Sequence, residues 1–125
     1  ALWERDLASF VRAKAAIFAG IRSLLSIVGD DAGEVSRIIV SGNFGRYLNL
    51  PAAIGIGVLP DARSTGQHIE NGSLEGAALA LLSSDFVAAT SDCLARVTDV
   101  DLSDLPGFMD EFVAASFLPH TSPDA

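Results

Sequence analysis

The sequence predicts an α/β domain of about three strands with flanking helices, and three observations carry that prediction. The chain has 125 residues, half of them apolar, which suits one domain with one core. A long stretch with apolar residues at three- and four-residue steps precedes the β-branched run Ile38-Ile39-Val40. Beyond that run, which breaks into Gly42 and Gly45, helical and extended segments alternate, the pattern of α/β layers. The domain is expected over residues 1–120, with 121–125 as a disordered tail.

Residues 5–28 read as one long helix, because Leu7, Phe10, Val11, Ile17, Phe18, Ile21, Leu24, Leu25 and Val28 share a helical stripe. Gly29 is a natural stop, and Asp30 to Glu34 make a polar turn. The first strand is expected at 37–41 as a buried strand, followed by the glycine turn. A short helix starts near Pro51, where proline fits the first helical turn, and Gly55, Gly57 and Pro60 end it. A loop through Ser64, Thr65 and Gly66 leads to a second strand near 67–70. Ser73 is expected to cap a helix from Leu74, in which Gly76, Ala77, Ala78 and Ala80 permit close approach while Leu79, Leu81 and Leu82 supply core. Ser84 or Asp85 would cap the next helix, through Arg96. A third strand near 97–102 and a helix over 106–117, packing Phe108, Met109, Phe112 and Val113, complete the chain.

Composition excludes several functions. A net charge of −8 sets up repulsion toward phosphate backbones, so nucleic acid is not an expected partner. No apolar run approaches transmembrane length, so neither is a membrane. Cys93 is the single cysteine, which excludes an internal disulfide, and with only His68 and His120 beside it the chain has too few soft ligands for a zinc or iron–sulfur site. A reducing cytoplasm is the expected location. The chain opens at Ala1 without an initiator methionine, and its mean hydropathy of +0.40 is high for a free-standing domain. Both suggest a piece of a larger protein whose apolar surface faces other segments or a second copy, as in a homodimer.

Three groups of residues stand out. The run Ser41-Gly42-Asn43-Phe44-Gly45 is a strand-to-helix glycine turn, the place where α/β proteins hold nucleotides and phosphates, although such glycines also serve ordinary corners. It matches neither Gly-x-Gly-x-x-Gly nor the phosphate-loop Gly-Lys-Ser/Thr pattern. Lys14 falls on the apolar stripe of the long helix, either as a packed stem with a snorkelling amine or as a ligand contact. Asn71-Gly72-Ser73-Leu74-Glu75-Gly76-Ala77 opens a small-residue helix and resembles the first turn in shape. Asp99, Asp101, Asp104, Asp110 and Glu111 fit no calcium loop and read as a solvated face. His68-Ile69-Glu70 lacks the paired cysteines that zinc deamination needs.

An ordered series of matches then points to a family. Ala13-Lys14-Ala15-Ala16-Ile17, Ala19-Gly20-Ile21, Val40 to Gly45 and Ile56-Gly57-Val58-Leu59-Pro60 come first. Asn71 with Ser73-Leu74 and Gly76-Ala77, Ala80-Leu81-Leu82-Ser83, and Phe108 through Phe117-Leu118-Pro119-His120 follow. Over residues 6–120 the chain resembles the C-terminal domain of the reductive activators of corrinoid proteins. That family is similar to the actin, sugar-kinase and heat-shock-chaperone ATPases, so the resemblance implies a partial ribonuclease-H-like lobe.

The resemblance also implies a function. The parent would use ATP, with magnesium, to drive an electron from an N-terminal iron–sulfur domain onto a cobalt(II) corrinoid protein of a methyltransferase system, restoring cobalt(I). It makes Ser41, Gly42, Asn43, Phe44 and Gly45 the adenosine motif, puts Lys14 over the nucleoside, counts Asn71 and Gly76 among the nucleotide-binding positions, and sets Gly76-Ala77 at the start of the helix connecting the lobes, near a hinge. Asn43 and Glu70 depart from the family pattern, which commonly has glycine at both, and a side chain at Asn43 would crowd an adenine. The phosphate loops and the magnesium-positioning acid have no counterpart in residues 1–36, so no catalytic residue is assigned and the chain alone is not expected to hydrolyse ATP. An adenosine half-site burying about 200 Å² is worth roughly 5 kcal/mol against an association cost of about 4 kcal/mol or more, so the chain alone would bind ATP weakly. Two alternatives share the fold: an interaction module without nucleotide, and a fragment of a small-molecule kinase. The ending Phe117 to His120 argues against the kinase.

Overall fold

The computed structural model describes residues 3–29, 32–60 and 65–118. Helix α1 (Glu4–Val28) is the long amphipathic helix the spacing predicts. At its start the Asp6 carboxylate accepts from the Trp3 backbone N–H at 3.2 Å, and at its end Gly29 takes the left-handed conformation that closes helices. Strand β1 (Arg37–Val40) is followed by a single helical turn, α2 (Gly42–Gly45), and by α3 (Leu50–Gly55), which Asn49 caps through its side-chain oxygen. Strand β2 (Thr65–His68), α4 (Gly72–Leu82), α5 (Ser84–Leu94), a 3-10 turn at Leu102–Asp104 and α6 (Phe108–Ala115) complete the described order.

β1 and β2 pair as a two-stranded sheet. The pairing is parallel, since the Ile69 N–H donates to the Val40 carbonyl and the Gly42 N–H to the Glu70 carbonyl, each at 3.0 Å, so position rises together on both sides.

The chain divides into two compact units. The first gathers residues 1–38, 49–65 and 101–125 and holds the core. There α6 packs along α1, and Ala15, Phe18 and Ala115 are buried together with Phe112 against them. Alanines at the contact allow the two helices to approach closely. The second unit, residues 39–48 and 66–100, contains the glycine turn and the α4–α5 pair.

The α/β class holds, and several elements differ from expectation. No strand forms at 97–102 among the described residues: Val97 is exposed, and the Asp101 carboxylate instead accepts from the Ser103 N–H at 2.9 Å to start the 3-10 turn. β1 is not a fully buried strand; its residues alternate between exposed and half-buried, Ile39 among the exposed, as befits a sheet of two strands. β2 lies at 65–68 rather than 67–70. Asn71, not Ser73, caps α4, and Ser83, rather than Ser84 or Asp85, caps α5. Leu79, Leu81 and Leu82 are exposed rather than core, as are Met109 and Val113 on α6. Asp30 and Asp31 of the polar turn, Ser64 of the loop, Pro119, His120 and the tail expected at 121–125 lie outside the described residues.

Candidate functional site

The glycine turn is built by backbone chemistry. Gly42 sits at φ +90°, a conformation that a side chain strains. Gly45 is buried against β1: a Cβ there would stand 2.5 Å from Val40 Cγ1, so only glycine lets the turn fold back onto the strand. His68, with Nδ1 protonated, donates to the Gly45 carbonyl at 2.9 Å and ties β2 to the same turn. Its place in the fold is therefore structural.

Three bonds then tie the turn to the segment that opens α4, and a fourth caps that helix. The Gly42 N–H donates to the Glu70 carbonyl at 3.0 Å, and the Ser41 hydroxyl donates to that carbonyl at 3.3 Å. The Ser41 Oγ accepts from the Gly72 N–H at 3.2 Å, and the Asn71 Oδ1 accepts from the Leu74 N–H at 3.2 Å. The two loops singled out in the sequence are thus joined, and the N–H groups of Gly72 and Leu74 are engaged within the protein.

Between them lies a cavity of about 220 Å³ lined by Gly42, Asn43, Arg46, Glu70 and Asn71. Complete ligand pockets run to roughly 300–1,000 Å³, so this is the size of a half-site. Its lining offers two amides, one guanidinium and one carboxylate. The Arg46 guanidinium stands 3.8 Å from the Glu70 carboxylate, both exposed. It also lies 5.8 Å from the centre of the Tyr47 ring. These groups fit the nucleoside end of a nucleotide, with donors and acceptors suited to a purine edge and ribose hydroxyls. Among the described residues, groups of three or more metal-ligating side chains are absent, and one cysteine in the whole sequence cannot hold an iron–sulfur cluster.

Of the residues expected at the site, Gly42, Asn43 and Asn71 line the cavity, while Ser41 and Gly45 shape it from behind. The side chain of Phe44 lies outside what the structure describes. Gly76 lies one turn into α4 and is not among the cavity's lining residues. Arg46 and Glu70 also line the cavity and are not among the ligands expected from the sequence; there Glu70 stands out as a departure from the family glycine, and Arg46 only by its place beside the first glycine turn.

Lys14 belongs to the first unit. It is 1% exposed, and its amine donates to the Ala115 carbonyl at 2.8 Å and the Phe117 carbonyl at 3.0 Å, closing the C-terminal end of α6. At Gly57, φ +71°, a Cβ would come within 3.1 Å of Lys14 Cε, so glycine there leaves room for the lysine stem. Burial lowers the amine's pKa, because charge is costly away from water. A larger groove of about 710 Å³ in the same unit runs from Arg22 and Ser26 on α1 to Pro106 and Glu111 at the start of α6, crossed by the Arg22–Glu111 pair at 3.7 Å.

The comparisons with known proteins agree with the resemblance drawn from the residues. The corrinoid activation enzyme RamQ of Eubacterium limosum is 30% identical over 112 residues, which cover 88% of this chain and 19% of that protein. A solved structure of a reductive activator for corrinoid, iron-sulfur protein superposes with a TM-score of 0.86 at 43% identity, covering 97% of this chain and 19% of that one. The chain therefore spans about a fifth of the length of each. The family described as the C-terminal domain of RACo, the ASKHA domain, matches residues 1–125, and the chain belongs to that family.

Proposed function

We propose that this chain is the nucleotide-binding C-terminal lobe of an ATP-dependent reductive activator, which returns a cobalt(II) corrinoid protein to cobalt(I). The observation that carries the reading is the locked glycine turn with its half-site cavity of about 220 Å³. Gly42 lets a base approach the backbone, and Asn43 and Asn71 supply amides beside it. A side chain at Asn43 narrows the site but brings one donor and one acceptor, the pairing that an adenine N6/N7 edge accepts. When bound, ATP supplies the free energy for an uphill electron transfer. This lobe's residues would hold the nucleoside, and the phosphates and magnesium would fall to segments beyond this chain.

The protein carrying this chain would take its electron from an iron–sulfur domain, also beyond this chain, and hand it to the corrinoid protein. Lys14 enters the proposal through the shape of the lobe: by pinning the end of α6 to α1 it holds the first unit's core. We expect the location to be the cytoplasm.

The test is spectroscopic. The full-length protein is mixed with a cobalt(II) corrinoid protein and a low-potential reductant, and cobalt(I) formation is followed by absorbance. Formation that depends on ATP and falls at least tenfold in Gly42→Val supports the reading; equal rates with and without ATP refute it.

A second reading has its own observation. α4 is apolar on nearly every face, yet none of its residues is buried, with Leu81 at 89% and Leu82 at 83% exposure. Helices of that character are ordinarily covered, which suits a module that works by association, including with a second copy of itself.

A further inference from the structure

We infer that Glu70 is the ribose-reading residue of the half-site, accepting hydrogen bonds from the vicinal hydroxyls of the nucleoside and so selecting ribonucleotides. The inference rests on the nucleotide reading above and adds a specificity determinant to it.

The Glu70 carbonyl accepts from both the Gly42 N–H and the Ser41 hydroxyl, so this residue cannot drift from the glycine turn. Its side chain is left exposed on the rim of the cavity. Across the rim, Arg46 stands 3.8 Å away, and an exposed pair of that length is weak. The backbone of Glu70 is therefore fixed at the rim, and its carboxylate is not consumed by its partner.

Chemistry then chooses the ligand group. An ionised carboxylate only accepts hydrogen bonds. An adenine edge is mostly acceptors, which repel it, and its exocyclic amine is better matched by an amide such as Asn43, which carries both a donor and an acceptor. The remaining donors on a nucleoside are the ribose hydroxyls. A carboxylate takes this role in dinucleotide sites too, where it marks the 2′-hydroxyl. Glu70 is the single carboxylate among the residues lining this cavity.

The experiment measures equilibrium binding of ATP and of 2′,3′-dideoxyATP to the full-length protein and to Glu70→Ala and Glu70→Gln. A pair of hydrogen bonds to a charged acceptor gives a preference for ATP of about tenfold or more in the unmodified protein. Glu70→Ala should bring that ratio close to one, lowering ATP affinity while leaving dideoxyATP unchanged; Glu70→Gln, with one neutral acceptor, should fall between. The side chain is exposed, so both variants should melt with the unmodified protein. A ratio that stays within about twofold of the original in Glu70→Ala overturns the assignment while leaving nucleotide binding intact. Binding of neither nucleotide by the unmodified protein overturns both.

Discussion

Lys14→Met isolates the role of the buried amine. Methionine keeps most of the stem's volume in the space beside Gly57, while the two donated bonds vanish. Ala115 is fully buried, and its carbonyl, deprived of a donor, costs about 1–3 kcal/mol. Phe117 is 54% exposed, so water can replace the second bond at small cost. Set against these losses is the relief of removing a buried charge, so the net change at neutral pH is about 1–2 kcal/mol, or roughly 3–10 °C in Tm.

The pH dependence carries the diagnostic sign. The amine's folded pKa is lowered from 10.5 by burial, so between the two values the unfolded chain binds the proton and the folded chain does not. Lys14's contribution to stability therefore rises as pH climbs through that window, by at most about 1.4 kcal/mol per pH unit. Urea titrations of both proteins at pH 7 and pH 10 should show the unmodified protein's advantage widening at the higher pH. A constant gap, or a methionine variant as stable as the original at both pH values, would refute the reasoning.

Other outcomes follow from the same geometry. Gly45→Ala should destabilise by about 1–3 kcal/mol, because its methyl meets Val40; an unchanged urea midpoint would show that the turn tolerates a side chain. Asn71→Ala should cost about 1 kcal/mol through loss of the α4 cap, and Asn71→Asp, which retains the acceptor, should recover most of it. Sedimentation of the isolated chain should reveal self-association that Leu81→Glu with Leu82→Glu abolishes; a strict monomer without those changes would contradict the reading of α4 as a covered surface.

The parts of the fold legible in the sequence are those where local and tertiary preferences agree. The stripe from Leu7 to Val28 forms α1, Gly29 ends it, and Asn49 with Pro51 starts α3 close to the expected place. The missing strand at 97–102 shows the limit of β-branched residues as a signal: Val97, Thr98 and Val100 suit a sheet, but no strand among the described residues pairs with them, and Asp101 prefers to cap a turn. Lys14 was legible as an anomaly on the apolar stripe, whereas its bonds to carbonyls 101 and 103 residues away were not, since nothing local encodes them. The glycine turn was legible from its composition. The pocket itself needed the parallel register, because only that pairing brings Glu70 and Asn71 to the rim opposite Asn43 and Arg46.

The central claim is that this lobe holds a nucleoside at the Ser41 to Gly45 turn, and equilibrium dialysis of labelled ATP against the full-length protein tests it most directly. The expected result is saturable binding that Asn43→Leu, which removes the lining amide without straining the backbone, weakens at least tenfold while circular dichroism shows the fold intact. Saturable binding that Asn43→Leu leaves unchanged, or no binding at all, would contradict it.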